Sequence, residues 1–574
     1  MRCWFLAAAL AIAPLRAGLA QTIYPLDRAE ILSGARFDLK VELPGAPHAE
    51  SVSVTINGQP AAEVLGAEPA FVANEDDAGH SAFWMRNVSI ATRGTYRIEA
   101  RHGDARAEVS WNVYDTPPAR ARNVILFVGD GLSNAHRVAA RMLSKGIREG
   151  RYGGELAIDD MPHMALISTS GTDSIITDSA NAASAFTTGH KSCNNALGVY
   201  CARNKDNTAH PRVETIASLA RRLKGMLVGI VTNTEIQDAT PAAMVAHTRR
   251  RADYDRITEM LFEAKPEVIL GGGSASFLPA PHGRRRDNID MLSKFETAGY
   301  RLVTTGTAMA AAAADASTRR LLGLFHPGNM DGALDRRFLK KGTTERYPDQ
   351  PGLVEQLEVA LAVLSRGDAG FVLMVESGLI DKYAHALDWE RSVYDTIMLD
   401  NAVRVAKTWA AARDDTLIAV VADHAHPVAI IGTYDDARPG ELLRDKLGAY
   451  AAAGFPNYPA PDDAGYPPSV DVSRRLAFVT SAYPDHCDAG RPFLANPNKP
   501  GDERVCAAPG ATRRVGNLPI AIRAGVHSSE DVIMTATGPG ADLVRGRMDN
   551  TDVFRVMATA LGLGAPDKPA GKTR

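Results

Sequence analysis

The chain has no excess of charge of either sign: 64 Lys and Arg stand against 67 Asp and Glu, a net of −3 over 574 residues. That balance sets up no broad field for nucleic acid or an acidic membrane surface. Nucleic acid is therefore not expected as a specific partner, and an anionic ligand would have to be held by local charges or metals. Cysteine is scarce, at five, and no CxxC spacing occurs, which disfavours a cysteine zinc site. Instead Cys193 and Cys201 form one close pair and Cys487 and Cys506 another, far from the first. In an exported protein this reads as two local disulfides. Beyond the first twenty residues no apolar run approaches a bilayer-spanning length, so no stable membrane insertion is expected.

The first twenty residues read as a secretory signal. Met1-Arg2 is a short positive start, residues 3–14 are apolar, and Gly18-Leu19-Ala20 before Gln21 supplies small residues for cleavage. A periplasmic or secreted protein is expected. The chain is too long for one small domain and can bury a sizeable core.

Residues 22–115 have a texture of their own. Phe37 to Leu43 alternates strictly between apolar and charged residues, and Val52–Ile56 and Tyr96–Ala100 alternate likewise. Asn57-Gly58 is a hairpin turn signal. These short strands predict a small all-β sandwich of immunoglobulin type. No catalytic cluster lies in it, and its partner is unknown. Thr116-Pro117-Pro118 reads as a linker.

From residue 121 to 564 the rhythm is α/β. Apolar runs at 123–129, 227–231, 371–375 and 417–422 each lead toward an acid: Asp130, Glu235 and Asp238, Glu376, and Asp423. Helical patterns at 213–224, 352–365 and 391–412 lie between them. Strands buried on both faces and alternating with helices predict a mostly parallel sheet in a three-layer core. Ligands in such folds bind beyond the carboxyl ends of the strands, where these acids sit. Residues 432–518, rich in Pro, Gly, Asp and Arg, read as an insertion near the site mouth pinned by Cys487–Cys506. The tail 565–574 is expected to be disordered.

Chemistry concentrates in a few places. Thr177-Asp178-Ser179-Ala180 precedes a run of small residues that suits a helix start packed tightly against something. A helix N-terminus offers free N–H groups and a positive dipole end to an anion, although Ser beside Asp is also a common capping pair. Asp381 and His385, four apart, would share a helix face and could bind one metal. Asp423-His424-Ala425-His426 at a strand end and His527 add further donors.

Taken together these segments resemble the alkaline phosphatase family of metal-dependent phosphomonoesterases. The resemblance rests on Asp130-Gly131, Thr177-Asp178-Ser179-Ala180, Gln237-Asp238-Ala239-Thr240-Pro241, His247 with Arg251, Val375-Glu376-Ser377-Gly378 with Asp381 and His385, Ala422-Asp423-His424, and Val526-His527, in that order. It implies that Ser179 is the nucleophile, forming a phosphoseryl intermediate. It implies two Zn2+ ions, one held by Asp381, His385 and His527, the other by Asp130, Asp423 and His424. One Mg2+ would be held by Asp130, Thr240 and Glu376, with Asp238 and Lys382 acting through waters. Arg251 would clamp phosphate, oriented by Asp178, and His426 would stand behind the ligands. Small-molecule phosphate monoesters are the implied substrates. A diesterase or sulfatase of the same superfamily, or a catalytically silent binding protein, are the competing expectations. The N-terminal sandwich is not part of the usual core, so the family's homodimer is left open.

Overall fold

The four apolar runs that lead toward acids become the middle of a ten-stranded sheet. The computed structural model describes residues 21–564 apart from 46, 78, 489–502 and 508–509. The expected signal peptide and the C-terminal tail lie outside the described residues. Strand order is Arg301–Val303, Leu321–Leu324, Val268–Gly272, Leu227–Glu235, Phe371–Ser377, Asn123–Gly129, Thr416–Ala422, Val532–Thr537, His163–Ser168, Arg545–Asp549. Only Val532–Thr537 runs antiparallel to its neighbours; every other pairing is parallel. This is the α/β fold with a large, mostly parallel sheet that the sequence predicts.

All residues of Asn123–Gly129, Phe371–Ser377 and Thr416–Ala422 are buried. Both faces of these strands are therefore covered, which is why they read as continuous apolar runs rather than alternating ones. The 22-residue helix Trp389–Ala410 packs on them beside Asn134–Lys145 and Leu353–Leu364. Its first turn is anchored by Arg391, whose fully buried guanidinium donates to Asp335 (2.7 and 2.8 Å) and Asp388 (2.8 Å). Register places Gly129 opposite both Ser377 and Ala422. The residues that follow, Asp130 and Asp423, thus emerge side by side at the carboxyl edge.

Residues 22–114 form two further sheets. One has the order Thr22–Tyr24, Phe37–Pro44, His80–Val88, Ala70–Val72; the other Glu30–Leu32, Ala105–Tyr114, Gly94–His102, Val52–Ile56, Gln59–Pro60. They share one apolar core, with Phe37 meeting Trp111 edge-on at 5.4 Å. Asn57 and Gly58 take positive φ (51° and 80°), as a tight hairpin turn of the primed type requires.

In one respect the strand Phe37–Pro44 departs from its pattern. Strict alternation would send Asp38, Lys40 and Glu42 to solvent, yet all three are buried (5, 0 and 8% exposed). The segment 200–214 of the α/β region covers them, and Tyr200, Ala202 and Val213 enter the same core as Ile23 and Trp111.

Cys193 pairs with Cys201 and Cys487 with Cys506, with Cα–Cα distances of 6.1 and 5.1 Å. Within 428–514 lie a three-stranded sheet (Leu447–Gly448, Val428–Asp435, Arg474–Thr480) and the pair His486–Asp488 with Thr512–Arg514. No helix of the described residues is long and apolar enough to cross a membrane.

Replacing Arg391 by Ala leaves Asp335 and Asp388 buried without their cation. The expected loss is about 3–5 kcal/mol in denaturant unfolding; a loss below about 1 kcal/mol would mean that the ion pair does not anchor the helix.

Candidate active site

Three neighbouring strand ends deliver Glu376, Asp130 and Asp423, and loops bring the remaining groups to them. Asp130 follows Asn123–Gly129 and is succeeded by Gly131, whose φ of +68° favours glycine. A Cβ there would also strike the His426 ring at 2.8 Å. The Gly131 and His424 amides both donate to Asp423 Oδ1 (3.0 and 2.9 Å). That fixes one carboxylate oxygen and leaves Oδ2 buried without a hydrogen bond.

Ser179 is the first residue of helix Ser179–Thr188, and Asp178 is its cap, accepting from the Asn181 amide at 3.2 Å. Ser179 Oγ lies 3.2 Å from His424 Nε2 and 3.5 Å from Asp130 Oδ1. His424 Nε2 is in turn 3.3 Å from Asp130 Oδ1 and 3.3 Å from Asp423 Oδ2. Asp130, Asp423, His424 and the Ser179 hydroxyl therefore converge on one point.

A second triangle lies beside it. His385 Nε2, His527 Nε2 and Asp381 Oδ1 are separated by 3.1, 3.3 and 3.3 Å. Helix Leu379–His385 supplies two of these, four residues apart as expected. His385 Nδ1 faces the Gly525 carbonyl and His527 Nδ1 the Thr177 carbonyl. A carbonyl can only accept, so Nδ1 carries a proton in both rings, and in the neutral ring each Nε2 offers a lone pair. Two lone pairs and a carboxylate oxygen facing one another repel unless a cation stands between them. Donors bound tetrahedrally at about 2.0–2.1 Å lie about 3.3 Å apart, the spacing found here. Donor atoms also cluster as Asp381, His424, His426 and His527; the short edges to His385 and its lone-pair geometry favour the triangle. His426 Nε2 sits 2.7 Å from Asp381 Oδ1, where it orients that carboxylate.

Electrostatics points the same way. Burial, reinforced by the charges of Asp381 and Asp423, pushes the Asp130 carboxyl well above the usual range. Burial likewise carries Asp423 up to about 6 and Glu376 up to about 7. It also holds His424 far below its ordinary value, hence in the neutral, ligating form. Burial would lower His527 too, yet Asp381 carries it upward: the site draws positive charge.

Glu376 Oε2 accepts from the hydroxyls of Thr232 and Thr234. Thr240, in the short helix Ala239–Ala242, buries its hydroxyl without a hydrogen bond of full geometry, though its approach still favours ionised Glu376. These oxygens and Asp130 suit a hard cation. The buried polar atoms left over and the donor chemistry thus fit the implied metals at all three places.

Arg251 Nη1 donates to Asp178 Oδ2 (3.1 Å) and Nη2 to Asp238 Oδ1 (2.8 Å), while a fifth of its side-chain surface (21%) stays exposed. Lys382 Nζ is 3.0 Å from Asp238, 3.3 Å from Asp381 and 3.9 Å from Asp130. Burial would lower this ammonium, but the three carboxylates raise it well above its ordinary value. Every sequence-predicted site residue therefore falls into one connected cluster.

Sequence reasoning missed Thr232, Asn233 and Thr234. Asn233 Oδ1 accepts from the Gly378 and Leu379 amides (2.8 and 3.2 Å), tying down the start of the helix that carries Asp381 and His385. The signal was there: polar residues closing an otherwise apolar, doubly buried strand.

A family model described as alkaline phosphatase matches residues 121–450. Alkaline phosphatase H of Pseudomonas aeruginosa is 32% identical over 453 residues, 72% of this chain and 90% of that protein. The alkaline phosphatase of Escherichia coli is 32% identical over 394 residues, 62% of this chain and 80% of its own. Among solved structures, Thermus thermophilus alkaline phosphatase aligns with a TM-score of 0.56 at 26% identity, covering 78% of this chain and 93% of that one.

Stripping divalent cations with a chelator should lower the thermal unfolding midpoint, and adding Zn2+ and Mg2+ back should restore it. A cation present at about a thousandfold its Kd contributes about 4 kcal/mol. A midpoint indifferent to chelation would mean that no cation occupies the cluster.

Proposed function

This chain belongs to the alkaline phosphatase family and is a phosphomonoesterase, and from that premise we propose that it works through Ser179 and a three-cation site. The observation that supports this most is the position of Ser179 Oγ, 3.2 Å from His424 Nε2 and 3.5 Å from Asp130 Oδ1 at the start of a helix. In this reading Asp381, His385 and His527 would hold one Zn2+, and Asp130, Asp423 and His424 a second. Asp130, Thr240 and Glu376 would hold Mg2+, with Asp238 and Lys382 acting behind them. Imidazole-containing sets suit zinc and an all-oxygen set suits magnesium. When bound, such cations supply Lewis acidity, favouring a deprotonated oxygen nucleophile and neutralising phosphate charge.

The chain's own groups do the rest. Ser179 Oγ, its proton given up to solvent, attacks phosphorus in line with the alcohol oxygen, forming one O–P bond as the other breaks, and the departing oxygen takes a proton from water to leave as the alcohol. Water then attacks the phosphoserine, its oxygen entering phosphate and the Ser179 oxygen leaving with a proton. Arg251 presents a planar fork to two phosphate oxygens. Asp178 and Asp238 each accept from one of its terminal nitrogens, so the guanidinium is held in place before substrate arrives. Lys382, charged among three carboxylates, places further positive charge beside the transferred group.

The same reading takes 1–20 as an export signal that delivers the protein to the periplasm or medium. It takes 22–115 as an immunoglobulin-type sandwich joined to a catalytic region at 121–564.

Ser179→Ala should lower turnover of p-nitrophenyl phosphate by at least about 10³-fold while leaving metal content unchanged; near-parental turnover excludes Ser179 as nucleophile. Arg251→Ala should weaken product inhibition by phosphate about ten- to hundredfold, the worth of a charged bidentate hydrogen bond. An unchanged inhibition constant would refute the clamp.

A further inference from the structure

The burial of Asp38, Lys40 and Glu42 has a cause that reaches the candidate active site. Lys40, with its side chain fully enclosed, donates to the Arg203 carbonyl at 2.6 Å and is paired with Glu75 (2.7 Å) and Glu42 (3.3 Å). Asp38 Oδ2 accepts from the Arg212 amide at 3.1 Å, and the Asp38 amide donates to the Arg212 carbonyl at 2.9 Å. Phe37 and Val213 are bridged as antiparallel strand partners. The segment 200–214 is thus held by main-chain pairing, by a buried ammonium and by three side chains sunk in the N-terminal core.

That segment is tied back to the phosphate clamp. The Cys193–Cys201 disulfide joins its start to Asn194 and Asn195. Asn194 Oδ1 accepts from the Asp178 amide at 3.2 Å, and its Nδ2 donates to the Ile176 carbonyl at 3.2 Å. The Asn195 amide donates to Asp178 Oδ2 at 3.1 Å, and its carbonyl accepts from the Arg251 amide at 2.8 Å. Asn195 does this with φ at +68°, a conformation that asparagine tolerates better than most residues. Asp178 and Arg251 therefore share one short loop as their common support, and that loop is stapled to a segment the N-terminal sheets hold.

We propose that the N-terminal sheets position the phosphate clamp: Lys40 and Asp38 are positioning residues that fix segment 200–214, and through Cys193–Cys201 and Asn194-Asn195 they aim Asp178 and Arg251. This rests on Arg251 acting as the clamp. The N-terminal sheets touch no reacting atom; they set the angle of the fork and its distance from Ser179, to which transition-state binding is steep. The α/β region holds the same loop on one side, through the Leu197–Thr248 bridge and the Arg249 amide on the Asn207 carbonyl; the N-terminal sheets hold the other side, at Arg203, Arg212 and Val213.

The test uses full-length, metal-loaded protein with inorganic phosphate as inhibitor of p-nitrophenyl phosphate turnover. Lys40→Met should raise the phosphate inhibition constant about three- to tenfold with metal content unchanged, the size of coupling carried by such networks. Combined with Arg251→Ala it should add nothing, because its effect runs through that fork. If Lys40→Met does not fold, Asp38→Asn, which keeps the side-chain shape, carries the same comparison. An unchanged inhibition constant, or the same fold-loss with and without Arg251, overturns the proposal. Arg251→Ala binding phosphate like the parent would instead sink the clamp itself, and this inference with it.

Discussion

Asp130, Asp381 and Asp423 are buried within a few ångströms of one another and of four imidazoles. Carboxylates so crowded cannot all stay ionised in a poorly solvated pocket unless cations share it. Lys382 and Arg251 supply part of that charge, but each already spans two or more acids. The lone pairs of His385 and His527, turned inward by their carbonyl partners, cannot be satisfied by a neutral neighbour. Divalent ions answer both demands, and the rest of the molecule arranges the donors at the right spacing.

The parallel sheet makes that arrangement possible. Strands that run the same way release their last residues at one edge, so acids far apart in sequence meet there. Apolar burial on both faces holds those ends in register; Asn233 then braces the helix that brings Asp381 and His385. The proposed nucleophile, Ser179, comes from elsewhere, at the first turn of a short helix whose cap, Asp178, also holds Arg251. One carboxylate thus holds both the helix start and the Arg251 guanidinium.

The N-terminal sheets add a support to this scheme rather than a separate appendage. A lysine with no access to water, bonded to a carbonyl of the α/β region, ties the two cores firmly. Its charge is balanced by Glu42 and Glu75 of the same sheets, which themselves accept from the Arg203 amide and the Asn204 side chain, so all three groups face the segment they hold. Such a contact suits a permanent support.

How much of this was legible beforehand follows from what kind of signal each part carries. Apolar runs that lead toward acids are local in sequence, so a mostly parallel sheet, its four middle strands and the acids at its edge could be read directly. The spacing of Asp381 and His385 was legible for the same reason: four residues on a helix is a local fact. Motif order then supplied the candidate site residues, and the structure brings them into one cluster. The reading failed where the deciding partner was distant. Alternation in Phe37–Pro44 marked a strand but not what covers its charged face, because the covering segment lies some 160 residues further along. Thr232, Asn233 and Thr234 passed unnoticed because their partners, Glu376 and the turn after it, are as remote. Sequence by itself determined which groups were available and on which elements they ride. Only the tertiary structure decided which of them share a pocket, which histidine nitrogen faces inward and what shields Lys40, since close-range electrostatics depends on distances that no local pattern encodes.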